Sequence, residues 1–139
     1  MSLSGQNIEK LGKELKKNFS YIAFAYLFGS VAQRKENENS DLDLAIFLKP
    51  PDRNPELIAK IIGLVENIIS GSTCDLLILN DTGSILSMEV LKGKLLFVRE
   101  SAMDDYAAFY SMTCRKFEDE YAWMKKQLKY RGHEVQWDH

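Results

Sequence analysis

The stretch Tyr21-Ile22-Ala23-Phe24-Ala25-Tyr26-Leu27-Phe28-Gly29-Ser30, followed after ten intervening positions by Asp41-Leu42-Asp43-Leu44-Ala45-Ile46-Phe47-Leu48, decides the fold. Residues 21–28 form a nearly unbroken apolar and aromatic run, the pattern of a strand covered on both faces, and the run ends at Gly29. Leu42 to Leu48 makes a second strand, in which apolar residues alternate around Asp41 and Asp43 until Pro50 and Pro51 stop it. Between the two, Ser30 to Arg34 suits one or two turns of helix. Lys35-Glu36-Asn37-Glu38-Asn39-Ser40 is polar and predicts a loop.

The two halves of this pattern are each weak and jointly strong. With nine Asp in the chain, about 0.6 Asp-x-Asp pairs arise by shuffling, and Gly-Ser recurs at Gly71-Ser72 and Gly83-Ser84. Requiring Gly-Ser at one fixed offset from Asp-x-Asp lowers the expectation to about 0.003. The chemistry follows from geometry. Strand residues i and i+2 share a face, so Asp41 and Asp43 project together with Cα atoms about 6.6 Å apart. Such a pair suits one or two Mg²⁺ ions, and without a cation the like charges repel. Gly29 permits close backbone approach, and Ser30 at a helix start offers a hydroxyl and N–H groups to an anion. The rival reading is a tight turn and two acids on a solvated strand edge.

Around this centre the remaining elements order themselves. Asn7 to Lys17 predicts a helix, with Ile8, Leu11 and Leu15 inward and Lys10, Lys13, Lys16 and Lys17 forming a solvated face. Asn54, Pro55 and Glu56 open a second helix, carried by Ile58, Ile61, Ile62, Val65 and Ile69, with Gly71 available as its left-handed exit. Cys74 to Leu79 predicts a third strand, Ser84 to Lys92 a short helix stopped near Gly93, and Leu95 to Val98 a fourth strand. A long helix from about Ala102 to Arg131 follows, opened by a capping box of Ser101 and Asp104 and striped with Met103, Tyr106, Tyr110, Phe117, Tyr121, Met124 and Leu128. It is long for the domain it leaves, so its stripe either folds back on the sheet or receives a partner. The expected fold is therefore α+β: one domain over 1–139 with its core at about 20–100, a small mixed sheet of about four strands flanked by helices, and a long C-terminal helix.

Composition narrows the class. The 139 residues are 45% apolar and 27% charged, with net charge −2 and a pI near 5.7. That balance disfavours a general nucleic-acid binder. Cys74 and Cys114 lie far apart without zinc or disulfide spacing, which predicts buried free thiols in a reducing compartment. No signal-like or membrane-spanning apolar run is present, and a cytoplasmic protein is expected.

Phe28-Gly29-Ser30-Val31-Ala32 and Ser40-Asp41-Leu42-Asp43-Leu44 resemble the motif of the nucleotidyltransferase superfamily related to DNA polymerase beta. Within it the chain is similar to the minimal nucleotidyltransferase (MNT) family, and Glu89-Val90-Leu91-Lys92-Gly93-Lys94-Leu95-Leu96-Phe97 resembles the stretch that closes the minimal domain. The resemblance covers roughly residues 20–125. It implies that Asp41, Asp43 and Asp75 hold Mg²⁺ and carry catalysis, Asp75 assisting deprotonation of the attacking hydroxyl, with Asp81 and Glu66 as weaker candidates for the third acid. It also implies that Gly29, Ser30, Ser40 and Arg34 bind the nucleotide, with ATP as substrate. Arg34 departs from the family, where Arg-Gly often follows the Gly-Ser-x-Ala segment and this chain has Gln33-Arg34. MNT proteins commonly act as antitoxins beside a small helical HEPN ribonuclease toxin, so the resemblance implies transfer of AMP onto a tyrosine of such a partner. Two alternatives stay open. One is nucleotidyl transfer to a small hydroxyl compound, of the aminoglycoside type, for which 139 residues leave little room. The other is an antitoxin that acts by binding alone.

Overall fold

A computed structural model describes residues 5–29, 41–50 and 54–130. Along the chain run α1 (Gly5–Asn18), β1 (Ile22–Phe28), β2 (Leu42–Leu48), α2 (Pro55–Ile68), β3 (Cys74–Ile78), α3 (Ser84–Leu91), β4 (Lys94–Val98) and α4 (Met103–Tyr130). The four strands form one mixed sheet in the order β3-β2-β1-β4. β1 is antiparallel to both β2 and β4, whereas β2 and β3 are parallel. A parallel pair needs a crossover, and α2 supplies it.

Alternation along the strands sends side chains to two unlike faces. Leu42, Leu44, Ile46 and Leu48 of β2 join Ile22, Ala25 and Leu27 of β1 in a core closed by Leu11 and Leu15 of α1 and Ile61 and Val65 of α2. The opposite face carries Phe24, Tyr26, Ala45 and Phe47, covered by Val90 of α3 and by Tyr106 and Phe109 of α4. Phe24 stacks on Phe47 at 4.8 Å and meets Tyr106 edge-on at 5.0 Å. Pairs of this kind add about 0.5–1.5 kcal/mol to the burial of their area.

Local signals act as expected at several boundaries. The Asn54 side chain accepts the Glu56 N–H, and Pro55 occupies the first turn of α2. The α1 lysines are exposed. Asn80 holds the far end of β2, accepting from Leu48 N and donating to Leu48 O, both at 2.8 Å. Gly93 ends α3 where β4 starts against β1, and a Cβ there would overlap the Leu27 carbonyl oxygen.

Four expectations need correction. Leu79 leaves the third strand and joins a 3-10 turn, Leu79–Asp81, because the Asn80 side chain bonds back to Leu48. Glu100–Ala102 forms another 3-10 turn, so Ser101 lies inside that turn instead of capping α4. Gly71 has positive φ, 87°, but Ile69 is the C-cap of α2. Cys74 is buried as predicted, whereas Cys114 is only half-buried because its helix is covered on one side alone. The length expected of α4 holds at 28 residues, about 42 Å of rise. Its first half lies on the sheet. Thr113 is buried, the Glu120 carboxylate accepts from Ser84 Oγ at 2.6 Å, and Trp123 beyond them is 62% exposed.

Candidate functional site

The neighbouring edges of β1, β2 and β3 bring the acidic residues together. In register, Phe28 of β1 faces Asp43 of β2, and Asp43 lies beside Asp75 of β3. Leu42 and Cys74, one step back, pair on the opposite face and point into the core. The alternation therefore places Asp43 and Asp75 on the face that α4 covers farther along, with Asp41 at the entrance of β2. Asp43 is half-buried, while Asp41 and Asp75 are exposed. Burial raises the Asp43 carboxyl above its ordinary value, and the charges of Asp75 and then Asp41 raise it further. Two neighbouring carboxylates thus bear on Asp43 at one end of the sheet.

Local bonds fix this end. Leu42 N donates to Thr73 O at 2.8 Å, joining β2 to β3 from their first residues. Glu66 Oε2 accepts from Cys74 N at 2.9 Å, which ties α2 to the start of β3 immediately before Asp75. Glu66, weighed above as a metal ligand, is thus occupied in holding the strand. Asp81 lies in the 3-10 turn at the opposite end of β3. The Cys74 thiol is pushed up to about 12, chiefly by burial and then by Glu66, Asp75 and Asp43, so it stays protonated and is no nucleophile.

Gly29 closes the site from the β1 side. Its φ is +78°, and a Cβ on it would overlap Asp43 Oδ2. Only glycine combines that backbone angle with that proximity. Ser30, Arg34 and Ser40 lie outside the described residues. Among the described residues no three His, Cys, Asp or Glu side chains are grouped closely enough to enclose a metal ion. The donors present nonetheless suit Mg²⁺. It takes hard oxygen ligands and is commonly held by one or two carboxylates together with substrate phosphates and water. The mutual repulsion around Asp43 is what a divalent cation would relieve.

Two tyrosines on the same face escaped the sequence analysis. Tyr26 pairs with Ala45, one step from Asp43 on that face, and its hydroxyl bonds to that of Tyr106 at 2.5 Å. In the sequence Tyr26 reads as one apolar residue among eight. The available signal was the alternation Phe24, Tyr26, Phe28, which runs aromatic side chains along one face up to the acids.

No curated protein matches the chain significantly. Solved structures do match in fold. A crystal structure of a toxin–antitoxin with AMP-PNP aligns at TM-score 0.64 and 23% identity, covering 92% of this chain and 94% of that one. A structure of the toxin–antitoxin MntA-HepT aligns at TM-score 0.61 and 21% identity, covering 91% and 94%. A complex of tri-AMPylated Shewanella oneidensis HEPN toxin with MNT antitoxin aligns at TM-score 0.60 and 20% identity, covering 90% and 92%. Residues 9–102 match the family described as polymerase beta, nucleotidyltransferase. Because that match takes in well over half of the chain, including all four strands and Asp41, Asp43 and Asp75, this protein belongs to the polymerase beta nucleotidyltransferase family.

Proposed function

We propose that this protein is a Mg²⁺-dependent protein adenylyltransferase that moves AMP from ATP onto a tyrosine of a HEPN-type toxin and thereby acts as its antitoxin. The observation that carries the proposal is the register of Asp43 beside Asp75 under the bare backbone of Gly29. That arrangement gives one cluster of carboxylates beside a strand exit that carries no side chain of its own. The fold shared with toxin–antitoxin complexes, one holding AMP-PNP and one a tri-AMPylated toxin, points to the acceptor class.

In this reading Asp41 and Asp43, with Asp75, hold the cation. Bound there, Mg²⁺ neutralises charge on the α-phosphate and on the departing pyrophosphate. Gly29 seats the triphosphate, with Ser30, Ser40 and Arg34 as the further nucleotide-binding residues that the family resemblance implies. Asp75, exposed at the head of β3, accepts the proton of the incoming phenol. The phenolate oxygen bonds to the α-phosphorus, the bond from that phosphorus to the bridging oxygen breaks, and pyrophosphate leaves. A reaction that consumes ATP, in a chain whose two cysteines are free, supports a cytoplasmic location. No helix among the described residues is long and apolar enough to cross a membrane.

The test is transfer of label from α-labelled ATP to the cognate partner. Label should appear on a partner tyrosine with the unaltered protein and vanish with the Asp41→Ala, Asp43→Ala double variant. Undiminished transfer by that variant would sink the proposal.

A further inference from the structure

The aromatic face beside the acids contains a pair of hydroxyls with unused hydrogen-bonding capacity. Tyr26 is 3% exposed and Tyr106 half-buried, and their oxygens share one hydrogen bond of 2.5 Å. Two phenols carry two protons, and one bond engages one of them. Neither oxygen has another partner among the described residues. A hydroxyl proton and several lone pairs are thus left in a site where water is scarce and an unmet polar group is costly. Burial raises the Tyr26 phenol well above its ordinary value, and its bond to Tyr106 raises it further, so Tyr26 keeps its proton at working pH.

Register places this pair. Tyr26 pairs with Ala45, whereas Asp43 pairs with Phe28. Tyr26 and Asp43 are therefore diagonal neighbours on one face, with Cα atoms about 7–8 Å apart. A tyrosine stands taller from a sheet than an aspartate, so the two hydroxyls rise as a wall beside the carboxylates. Tyr110 packs edge-on against Tyr106 at 6.1 Å and is 45% exposed, carrying the wall out to solvent. With the α-phosphate held at the acids, the sugar is joined to it through one oxygen and one carbon, whereas the base lies a whole ring farther on. The sugar, nearer the α-phosphate than the base, is therefore the part of a nucleotide that the hydroxyl pair would meet first.

We propose that the Tyr26–Tyr106 hydroxyl pair is the ribose-binding wall of the nucleotide site and selects ribonucleoside over deoxyribonucleoside triphosphates. The proposal rests on nucleotidyl transfer at Asp41, Asp43 and Asp75 and adds to it the residues that read the sugar. The pair both donates and accepts, which matches a sugar hydroxyl. A bare phenyl ring offers neither.

Calorimetric titration of the protein in Mg²⁺ with ATP, 2′-deoxy-ATP, 3′-deoxy-ATP and GTP tests it without a partner protein. The unaltered protein should favour ATP over at least one deoxy analogue by about three- to tenfold, the worth of one hydrogen bond. Tyr106→Phe should remove that preference while still binding the deoxy analogue as before. Tyr26→Phe supplies the same comparison if Tyr106→Phe does not fold. A purely structural hydroxyl bond would weaken all four nucleotides together and leave the ratio unchanged, which overturns the proposal. So does a variant that alters the ATP-to-GTP ratio alone, since the wall would then read the base. If the unaltered protein binds no nucleoside triphosphate, nucleotidyl transfer itself falls. If it binds ATP with no preference over either deoxy analogue, only the ribose wall does.

Discussion

Replacing Asp43 with Asn should make the metal-free protein more stable while abolishing its response to Mg²⁺. Asp43 lies beside Asp75 in register and two residues from Asp41, and it is half-buried. Neighbouring strands are about 4.8 Å apart, so the two carboxylates stand near 5 Å, where like charges repel by about 0.8 kcal/mol in water and about 3 kcal/mol at an effective dielectric of 20. Asp75 is exposed and salt screens the pair, so the lower part of that range applies, about 0.8–1.5 kcal/mol. For a chain of this size that is a rise in Tm of roughly 2–5 °C. The pH dependence has a definite sign. The folded-state value of Asp43 is raised, so the folded protein holds that proton more tightly than the unfolded chain. The stabilisation is complete below the ordinary aspartate value and is lost as pH rises through the elevated folded value. Thermal unfolding in EDTA across mildly acidic to neutral pH, for the unaltered protein and Asp43→Asn, measures the difference directly. The gap should widen toward neutrality in favour of Asn, and added Mg²⁺ should raise the unaltered protein alone. An Asn variant less stable than the parent in EDTA at neutral pH would show that Asp43 is held by favourable contacts, refuting the account of a repulsive cluster awaiting a cation.

Gly29→Ala should cost about 1–3 kcal/mol of stability and weaken Mg²⁺ binding, since the new Cβ meets Asp43 Oδ2 at a φ of +78°. Chemical denaturation with and without Mg²⁺ checks both effects, and an unaffected Mg²⁺ response would separate Gly29 from the site. Asn80→Ala should lower stability by about 1–3 kcal/mol, because it leaves both Leu48 backbone groups without their partner. A change below 0.5 kcal/mol in urea unfolding, within the ordinary scatter of surface substitutions, would mean that water replaces the amide. Cys114 should be alkylated well before Cys74 in the native protein at neutral pH, since Cys74 is buried with its thiol pushed up to about 12. Mass spectrometry of partly modified protein that located the label first on Cys74 would contradict that ordering.

The parts of the site legible in the sequence are those set by local periodicity. Asp41 and Asp43 share a face because strands repeat every two residues, and Gly29 ends an apolar run, which any strand-to-turn exit suggests. Asp75 could be placed on a strand but not beside Asp43, because register between β2 and β3 depends on the whole crossover through α2 and on the Glu66 carboxylate at Cys74 N. The role of Glu66 was hidden for the same reason. A helical acid looks alike in sequence whether it meets a metal or a backbone N–H, and only the packing of α2 on β3 decides between them. Tyr26 and Tyr106 are 80 positions apart and carry no shared motif, so their hydroxyl bond is invisible until α4 lies on the sheet. The long helix had two open readings, and its first turns meet the one of packing on the sheet. Tyr106 and Phe109 pack on Phe24 and belong to the domain, whereas Tyr110, Met112 and Trp123 stay largely in solvent. On the proposed reading, a helix that commits its first turns to the sugar wall and carries apolar side chains outward from there would join the nucleotide site to whatever approaches its exposed flank. Tyr110 packs on Tyr106, so on that reading acceptor docking and sugar recognition would share one element of the structure.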